Sequence, residues 1–533
     1  MKPNNLLLVL ILILGLFLSA YGIKWGLPTK GYYFSYNSDE VKYVKGLSAM
    51  DPLKLDFNPD FYDWGIWHYY ELGAVVGPAS LFGLVKLTKD KFFYYAHPEE
   101  MAKIYLFGRF VSILLLLATI YVTYLLGKKI FGVKAGLLAS LFLAVNPGIV
   151  INAHYLKADI SVTFWISLLL LSALFIFETG MTKWYVISGI FTAISAGAQY
   201  NGFCFGLSIF FAHFLRLFNE KKRLTVILTD KKLYLAYLVA LLVYLAINLP
   251  LFSTAKDLFF AIRDMFMQEG AGIDMVGRRA DNLFIDTFRS YSLVYTPLFV
   301  LLAVAAIFQA FIRRKKKELL VLFWFLPYLT LISVFGYLMT RYQILISSGI
   351  FVLTAGAVQS FYEQAKCKCI KAMLIAVIFF ACLYAAIYSF AYDKELARPE
   401  TVQQEASRWI MRNISSGSFI GICGNPEIRH YPQIIHQSYF YKENRTYNIV
   451  NLNGSIDALN AMRPEYLVMD KKAEGYNNQP QIEDSFSQGI RRYYKVIRIF
   501  ERYPSFYGLS FRSNFLIADW ETPFPVIAVL KRK

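Results

Sequence analysis

The sequence predicts a mainly α-helical, polytopic transmembrane bundle of about eleven spans, with a small α/β domain at its C-terminal end. Three observations carry this. Hydrophobic residues make up 56% of the 533 positions and charged residues only 17%, against roughly 25% charged in an average soluble domain. The apolar residues fall in blocks of about 18 to 22, each long enough to cross a hydrocarbon core of roughly 30 Å. The 55 Lys and Arg exceed the 37 Asp and Glu, which in a soluble chain would suggest nucleic acid. Here the excess sits mostly in short loops between apolar blocks, where it reports orientation.

Spans are expected near 5–23, 104–127, 134–151, 158–177, 183–199, 201–218, 232–250, 293–312, 318–339, 343–361 and 370–391. With Lys2 on the cytoplasmic side, the inner loops hold Lys128, Lys129 and Lys134, then Arg216, Lys221, Lys222, Arg223, Lys231 and Lys232. The run Arg313 to Lys317 follows, and finally Lys366, Lys368 and Lys371. Every strongly basic short loop thus falls on one side, as an integral membrane protein requires. The first block also has a passable small-residue cleavage site at Leu18 to Gly22; cleavage there would leave the following segment outside in either case.

The polar sequence is concentrated on the outer face: a loop over 24–103, another over 251–292, and a tail over 392–533. Residues 1–391 form the membrane domain. The tail begins where composition breaks at Tyr392-Asp393-Lys394-Glu395, and reads as a helix near Pro399 to Asn413. Short β-like runs follow at Phe419–Cys423, Tyr466–Met469, Tyr493–Phe500, Asn514–Ile517 and Val526–Leu530, a soluble extracytoplasmic α/β domain. Neither an internal repeat nor a low-complexity segment is present.

Several residues at the outer ends of spans carry chemistry. Asp39 and Glu40 are an adjacent acidic pair at the start of the first outer loop. Asp159 lies in Asn-Ala-His154-Tyr-Leu-Lys157-Ala-Asp159, at the turn before the fourth span. It reads either as a helix N-cap or as a site carboxylate, and the two coexist. Arg109, among apolar neighbours in the second span, needs an anionic partner, which a phosphate or an outer carboxylate would supply. Arg341 and Tyr342 lie at the outer turn between the ninth and tenth spans, where Arg341 either snorkels to the interface or faces a ligand. The stretch Asp63 to Tyr70 is either an interfacial aromatic belt or an element able to stack on a sugar. The loop from Leu251 to Ser290 interleaves Phe259, Phe260, Met265, Phe266 and Met267 with Arg263, Arg278, Arg279 and Arg289, as an interfacial amphipathic helix or plain loop packing would.

Other classes are excluded by what is missing. The chain has no Walker A loop, no G-x-G-x-x-G on a βαβ unit, no H-E-x-x-H and no G-x-S-x-G, so energy for any reaction must arrive with the substrate. Five cysteines, Cys204, Cys367, Cys369, Cys382 and Cys423, are too few and scattered for a disulfide framework, and Cys367 with Cys369 lacks a second metal-binding pair.

The order of these motifs resembles a known family. A first span, an outer Asp-Glu, Gly-Arg109-Phe-Val-Ser in the second span and Asn146-Pro147 leading to His-Tyr-x-Lys-Ala-Asp look like the GT-C superfamily of integral-membrane glycosyltransferases. The nearest branch is that of dolichyl-phosphate-mannose protein mannosyltransferases and the lipid A aminoarabinose transferase, glycosyltransferase family 39 and its relatives. Ile194 to Gly202 resembles that branch's small-residue segment ending in Lys-Tyr-x-Gly, with Gln199 where relatives often have lysine. The Trp-Trp-Asp-Tyr-Gly motif of oligosaccharyltransferases is missing. His97-Pro98-Glu99-Glu100 is similar to a glycolipid mannosyltransferase motif but lies far downstream of its usual place. The resemblance spans roughly residues 1–360.

The resemblance implies an inverting transfer of a sugar from a polyprenyl-phosphate donor to a hydroxyl on a protein, lipid or glycan acceptor. Asp39 would be the general base, with Glu40 and Asp159 positioning it or the acceptor. Arg109, Lys157 or Arg341 would hold the leaving phosphate, with His154 and Tyr342 in the substrate site. No cofactor is expected; the acidic residues could bind a divalent metal, but the chemistry does not require one. Membrane lipids are expected partners and nucleic acid is not. A transporter or lipid flippase with an outer domain is the competing reading.

Overall fold

The computed structural model describes residues 3–30, 32, 34–61, 64–252, 283–334, 339–424, 431–440, 445–470, 484–512 and 522–533. Asp63, the strand expected at Asn514–Ile517, and the loop residues Phe259, Phe260, Arg263, Met265, Phe266, Met267, Arg278 and Arg279 lie outside the described residues.

Each of the eleven apolar blocks is helical over most of its length. Six helices among the described residues are both long and apolar enough to cross a membrane, or up to seven with one bent pair. Two of the five blocks outside that count are interrupted by a sequence break. The block at 134–151 is split into Val133–Val145 and Pro147–Asn152, because Asn146 leaves the helix and its side chain accepts from Ile149 N at 3.0 Å. Pro147 then starts the next turn, where its missing N–H is harmless. The block near 293–312 begins with a 108° bend between Thr287–Tyr295 and Pro297–Arg313, at Thr296, whose φ is +66°.

Numbering the helices used below in chain order, α1 is Pro3–Ala20 and α2 is Ser38–Ala49. Next come α3 Trp67–Leu81, α4 Pro98–Phe131, α5 Ala158–Thr179 and α6 Thr182–Ala198. The bundle is completed by α7 Lys316–Val334, α8 Ser347–Gln364 and α9 Lys368–Leu396. The 34-residue α4 runs through the middle of one apolar core with α5, Val133–Val145 and α8. Close backbone approach tightens it: a Cβ on Gly127 would sit 2.8 Å from Gly136 Cα, the small-residue packing that membrane helices use. At one end of the bundle Glu178 joins Lys129 (2.6 Å) and Lys317 (2.7 Å), bringing together loops read as basic from sequence. The candidate site residues gather at the other end.

Helix α9 continues past the composition break at Tyr392 to Leu396. The C-terminal domain then opens with α10, Val402–Asn413, whose Thr401 and Gln404 form a reciprocal capping box. Its strands are β1 Phe419–Ile422, β2 Asn448–Asn451, β3 Tyr466–Asp470, β4 Tyr494–Phe500 and β7 Ile527–Arg532. They order β2-β1-β3-β7-β4; β1 is parallel to β2 and β3, and β7 is antiparallel to β3 and β4. Ser505–Phe506 and Leu509–Ser510 are a separate hairpin, β5–β6. Alternation along the central strands buries Val468, Ile527 and Val529 under α10 on one face. Leu467, Met469, Ala528 and Leu530 are buried on the other, under α11 Ile456–Met462 and α12 Asp484–Tyr493. The domain is thus a three-layer α/β unit. It packs on the end of α9 through Tyr388 stacked on Phe511 (4.6 Å), Phe390 against Phe506 and Tyr392 against Phe524.

Candidate active site at the Asp39 end of the bundle

The acidic pair opens α2. Asn37 caps that helix, its Oδ1 accepting from Asp39 N at 3.1 Å, which fixes the rotation of the first turn. Successive helical residues project about 100° apart, so the two carboxylates point to different places. Glu40 goes inward and is fully buried. Arg109 Nε and Nη2 donate to its Oε1 (2.8 Å) and Oε2 (2.7 Å), Leu156 N donates to Oε1 (2.8 Å), and the Ser35 hydroxyl donates to Oε2. Arg109 Nη1 donates to the carbonyls of Ile23 and Trp25. The partner that Arg109 requires inside the second span is therefore a carboxylate of its own chain, and neither residue lines the cavity described below.

Asp39 faces that cavity. Its Oδ2 lies 2.7 Å from Arg341 Nη1 and 3.2 Å from Lys157 Nζ, with 16% of the side chain exposed. Burial alone would raise its pKa, but Lys157, Arg341 and Lys42 outweigh burial and hold the carboxyl well below the usual carboxylate range. Lys42 Nζ in turn lies 5.3 Å from the centroids of Phe61 and Trp64.

The turn 153–157 delivers Lys157 by being pinned on both sides: Leu156 N is held by Glu40, and Ser112 Oγ donates to Tyr155 O at 2.8 Å. Lys157 occupies the N-cap position of α5, and Asp159 sits one residue inside its first turn. Asp159 is thus not the cap read from sequence, although the helix dipole still favours its charge. Gln199, at the end of α6, places Nε2 3.5 Å from Asp159 Oδ1. Arg341 stands in the short helix Thr340–Gln343, which is held when Tyr328 donates to Tyr342 O (3.1 Å) and Tyr295 donates to Gln343 O (2.6 Å). The Tyr342 ring lies 5.3 Å from the Arg341 guanidinium.

Asp39, Tyr43, Trp64, Lys157, Asp159, Gln199 and Arg341 enclose a cavity of about 10 Å³, room for one water molecule. Asp39, Lys157, Asp159 and Arg341 are therefore brought together, while Glu40 and Arg109 stand behind them. His154 is buried off the cavity, with Val150 O and Tyr21 O each 2.9 Å from a ring nitrogen and Asp393 Oδ1 at 3.5 Å. Glu99, of the alternative His-Pro-Glu-Glu stretch, pairs with His97 at 3.1 Å on an exposed surface and lies outside the cavity lining. For a metal, Asp39 and Asp159 would be the available ligands, yet two cations already flank Asp39. Among the described residues no three His, Cys, Asp or Glu side chains converge.

Sequence reasoning missed Tyr43 in the wall and Glu71 behind it. Tyr43, one turn after Asp39, stacks on Trp64 at 4.9 Å, which puts Trp64 in the cavity wall, where the sequence offered either an interfacial belt or a stacking element. Behind it Glu71 accepts from the indole N–H groups of Trp67 (2.9 Å) and Trp165 (2.7 Å), with His68 Nδ1 at 2.8 Å. The sequence signal for Glu71 was its place directly after the four aromatic residues Trp67 to Tyr70 that open α3; its partner Trp165 is 94 positions away.

Comparison with known proteins agrees with this architecture. Residues 106–248 match the family model of dolichyl-phosphate-mannose-protein mannosyltransferases. Among curated proteins no sequence matches. The fold resembles the Archaeoglobus fulgidus oligosaccharyltransferase AglB, solved with an inhibitory peptide and a dolichol-phosphate. The TM-score is 0.53 at 12% identity, over 98% of this chain and 77% of that one. A second structure of the Archaeoglobus fulgidus oligosaccharyltransferase, in complex with Zn and sulfate, gives 0.54 at 13% identity over 92% and 71%. ArnT from Cupriavidus metallidurans, bound to undecaprenyl phosphate, aligns over 98% and 97% with a TM-score of 0.47 at 13% identity. The family match covers about a quarter of the chain, from within α4 through the helix Lys231–Ile247, and the fold as a whole is similar to that of the oligosaccharyltransferase.

Proposed function

We propose that this protein transfers a sugar from a polyprenyl-phosphate donor to a hydroxyl acceptor on the extracytoplasmic face of the membrane, with inversion, and that all eleven apolar blocks take part in spanning it. The observation that carries the reading is Asp39, a carboxylate ionised by two flanking cations in a cavity at the end of the bundle opposite the basic loops. Transporters usually gather such groups at the midplane.

In the proposed reaction the acceptor oxygen attacks the anomeric carbon as the bond from that carbon to the phosphate oxygen breaks. The electron pair leaves with the phosphate and the acceptor proton goes to Asp39. Lys157 and Arg341 serve twice. In the resting protein they neutralise Asp39, which makes it a weak base. A donor phosphate competes for both cations, and as they turn to it the cavity opens and Asp39 gains basicity at the moment an acceptor needs it. The same cations then stabilise charge developing on the leaving phosphate. Asp159, held by Gln199, orients the acceptor or sugar. Glu40 and Arg109 are positioning residues, since Glu40 holds Leu156 and hence the turn that carries Lys157. With two fixed cations in place, no divalent metal is needed.

The test is transfer of label from a radiolabelled polyprenyl-phosphate sugar to a crude membrane acceptor by purified protein, wild type against Asp39→Asn. Transfer by the wild type alone supports the reading; equal transfer by both removes Asp39 from it.

A further inference from the structure

The C-terminal domain holds another cavity, of about 230 Å³, ringed by exposed basic side chains. Arg463, Arg492, Arg532 and Lys533 line it around Tyr493. They come from the end of α11, the end of α12, strand β7 and the residue after it. The guanidinium groups of Arg463 and Arg492 lie 5.8 Å and 5.4 Å from the Tyr493 ring centroid. Two of the cations are held in place: Arg532 Nη1 donates to Arg463 O (2.7 Å), and Lys533 Nζ donates to Arg491 O (2.8 Å). Among the described residues no acidic side chain lines the cavity; Glu465 comes near it through its backbone, accepting from Arg532 N.

Four like charges around one cavity repel one another, and an anion among them relieves that repulsion. Arg463 caps α11 with φ +40°, in the left-handed region where glycine or asparagine is the usual choice. This backbone turn brings the Arg463 side chain to the rim of the cavity beside Tyr493. The Tyr493 ring holds the Arg463 and Arg492 guanidinium groups beside the cavity, and the volume exceeds what a bare phosphate needs, leaving room for an attached sugar ring. Location selects the source. Strands β4 and β7 run from this cavity, at Tyr494 and Arg532, to Phe500 and Ile527, roughly 20 Å at the ordinary rise per residue. Beyond Phe500 the chain meets the junction with the bundle, where Arg502 donates to Glu400 O and Phe506 packs on Phe390. The cavity is therefore at the end of the sheet away from that junction.

We propose that this cavity binds a phosphate- or carboxylate-bearing saccharide from the aqueous phase, as a site separate from the one around Asp39. Binding there does not depend on the proposed transfer reaction, so either reading can fail without the other.

The test is calorimetric titration of the full-length protein in nanodiscs of zwitterionic lipid, with glucose 6-phosphate and glucuronate as probes and glucose and inorganic phosphate as controls. Expected is saturable binding of the two charged sugars, no binding of glucose, weaker binding of inorganic phosphate, and at least a tenfold loss in Arg492→Gln/Lys533→Gln. That variant leaves the Arg532 to Arg463 hydrogen bond intact; if its melting temperature falls, the exposed single variant Arg492→Glu replaces it with the same expected loss. Absence of saturable binding, binding unchanged by the variants, or equal binding of glucose would overturn the proposal. So would inorganic phosphate binding as tightly as glucose 6-phosphate. Loss of the charged sugars when the nanodiscs carry anionic lipid would assign the cavity to a headgroup and overturn the aqueous source.

Discussion

Asp39 and Glu40 are neighbours in the chain, yet Glu40 is locked to Arg109 in the interior while Asp39 faces a cavity between Lys157 and Arg341. Substituting each should therefore fail in a different way. Asp39→Asn should reduce transfer by about 10²- to 10⁴-fold, the usual span of a general base, with a melting temperature close to wild type. Glu40→Gln should leave Arg109 without a charge partner at a buried position and cost about 3–5 kcal/mol of stability. Glu40→Leu/Arg109→Met should recover part of that loss. Transfer rates and unfolding of the same detergent-purified samples read both. A stable but inactive Glu40→Gln would instead place Glu40 in the chemistry.

The pH dependence follows from the cations around Asp39. Because its folded-state pKa is depressed below the unfolded value, its stabilising contribution is complete above the ordinary carboxylate range and is lost as pH falls through and below that range. In the free protein the group stays ionised throughout that range, so kcat/KM should show no acid limb from Asp39 there. With donor bound, Lys157 and Arg341 are engaged by phosphate and the carboxyl titrates higher, so the acid limb of kcat should appear at higher pH than any in kcat/KM. Lys157→Ala should bring the two closer. Coincident limbs in the wild type would refute the transfer of cations from Asp39 to phosphate.

Chelation separates two forms of the mechanism. Asp39 and Asp159 are the carboxylates that a divalent ion would bridge, but Lys157 already stands 3.2 Å from Asp39. Incubation with EDTA should leave the transfer rate within about twofold of the untreated protein, whereas Lys157→Met should lower it by at least tenfold. An EDTA-sensitive rate restored by added metal would overturn the fixed-cation form.

Much of the site was legible because membrane helices restrict where charge can be. Lys157, Asp159 and Arg341 stood out as ionisable residues at span ends, and hydropathy alone placed them on one side. The roles within the acidic pair were not legible, since they depend on the rotation of α2 set by the Asn37 cap. Breaks inside the blocks were not legible in hydropathy, as at Asn146-Pro147 and Thr296-Pro297, which interrupt otherwise continuous apolar runs. In the C-terminal domain the strands came through clearly at β1, β3, β4 and β7, whose alternating or continuous apolar character is strong. The edge strand β2, Asn448–Asn451, was missed: it is only four residues long and half polar, and its pairing with β1 supplies what its own sequence does not.

Gly65 sets how closely the first loop seats against the bundle. A Cβ there would collide with the carbonyl of Gly197, two residues before Gln199, and backbone on the receiving side has no rotamer by which to give way. Trp64, next to Gly65, forms one wall of the cavity and Gln199 another, so Gly65→Ala must push one wall away from the other. The expected result is a loss of about 1–3 kcal/mol in stability, the usual range for overpacking, together with at least a tenfold fall in kcat/KM. Gly73, on α3, has open space where its Cβ would be, and Gly73→Ala should be neutral or stabilise by about 0.5–1 kcal/mol through helix propensity. Unfolding and transfer measured on both variants test this. If Gly65→Ala lowers stability but transfers at the wild-type rate once folded, the separation of Trp64 and Gln199 does not govern the site.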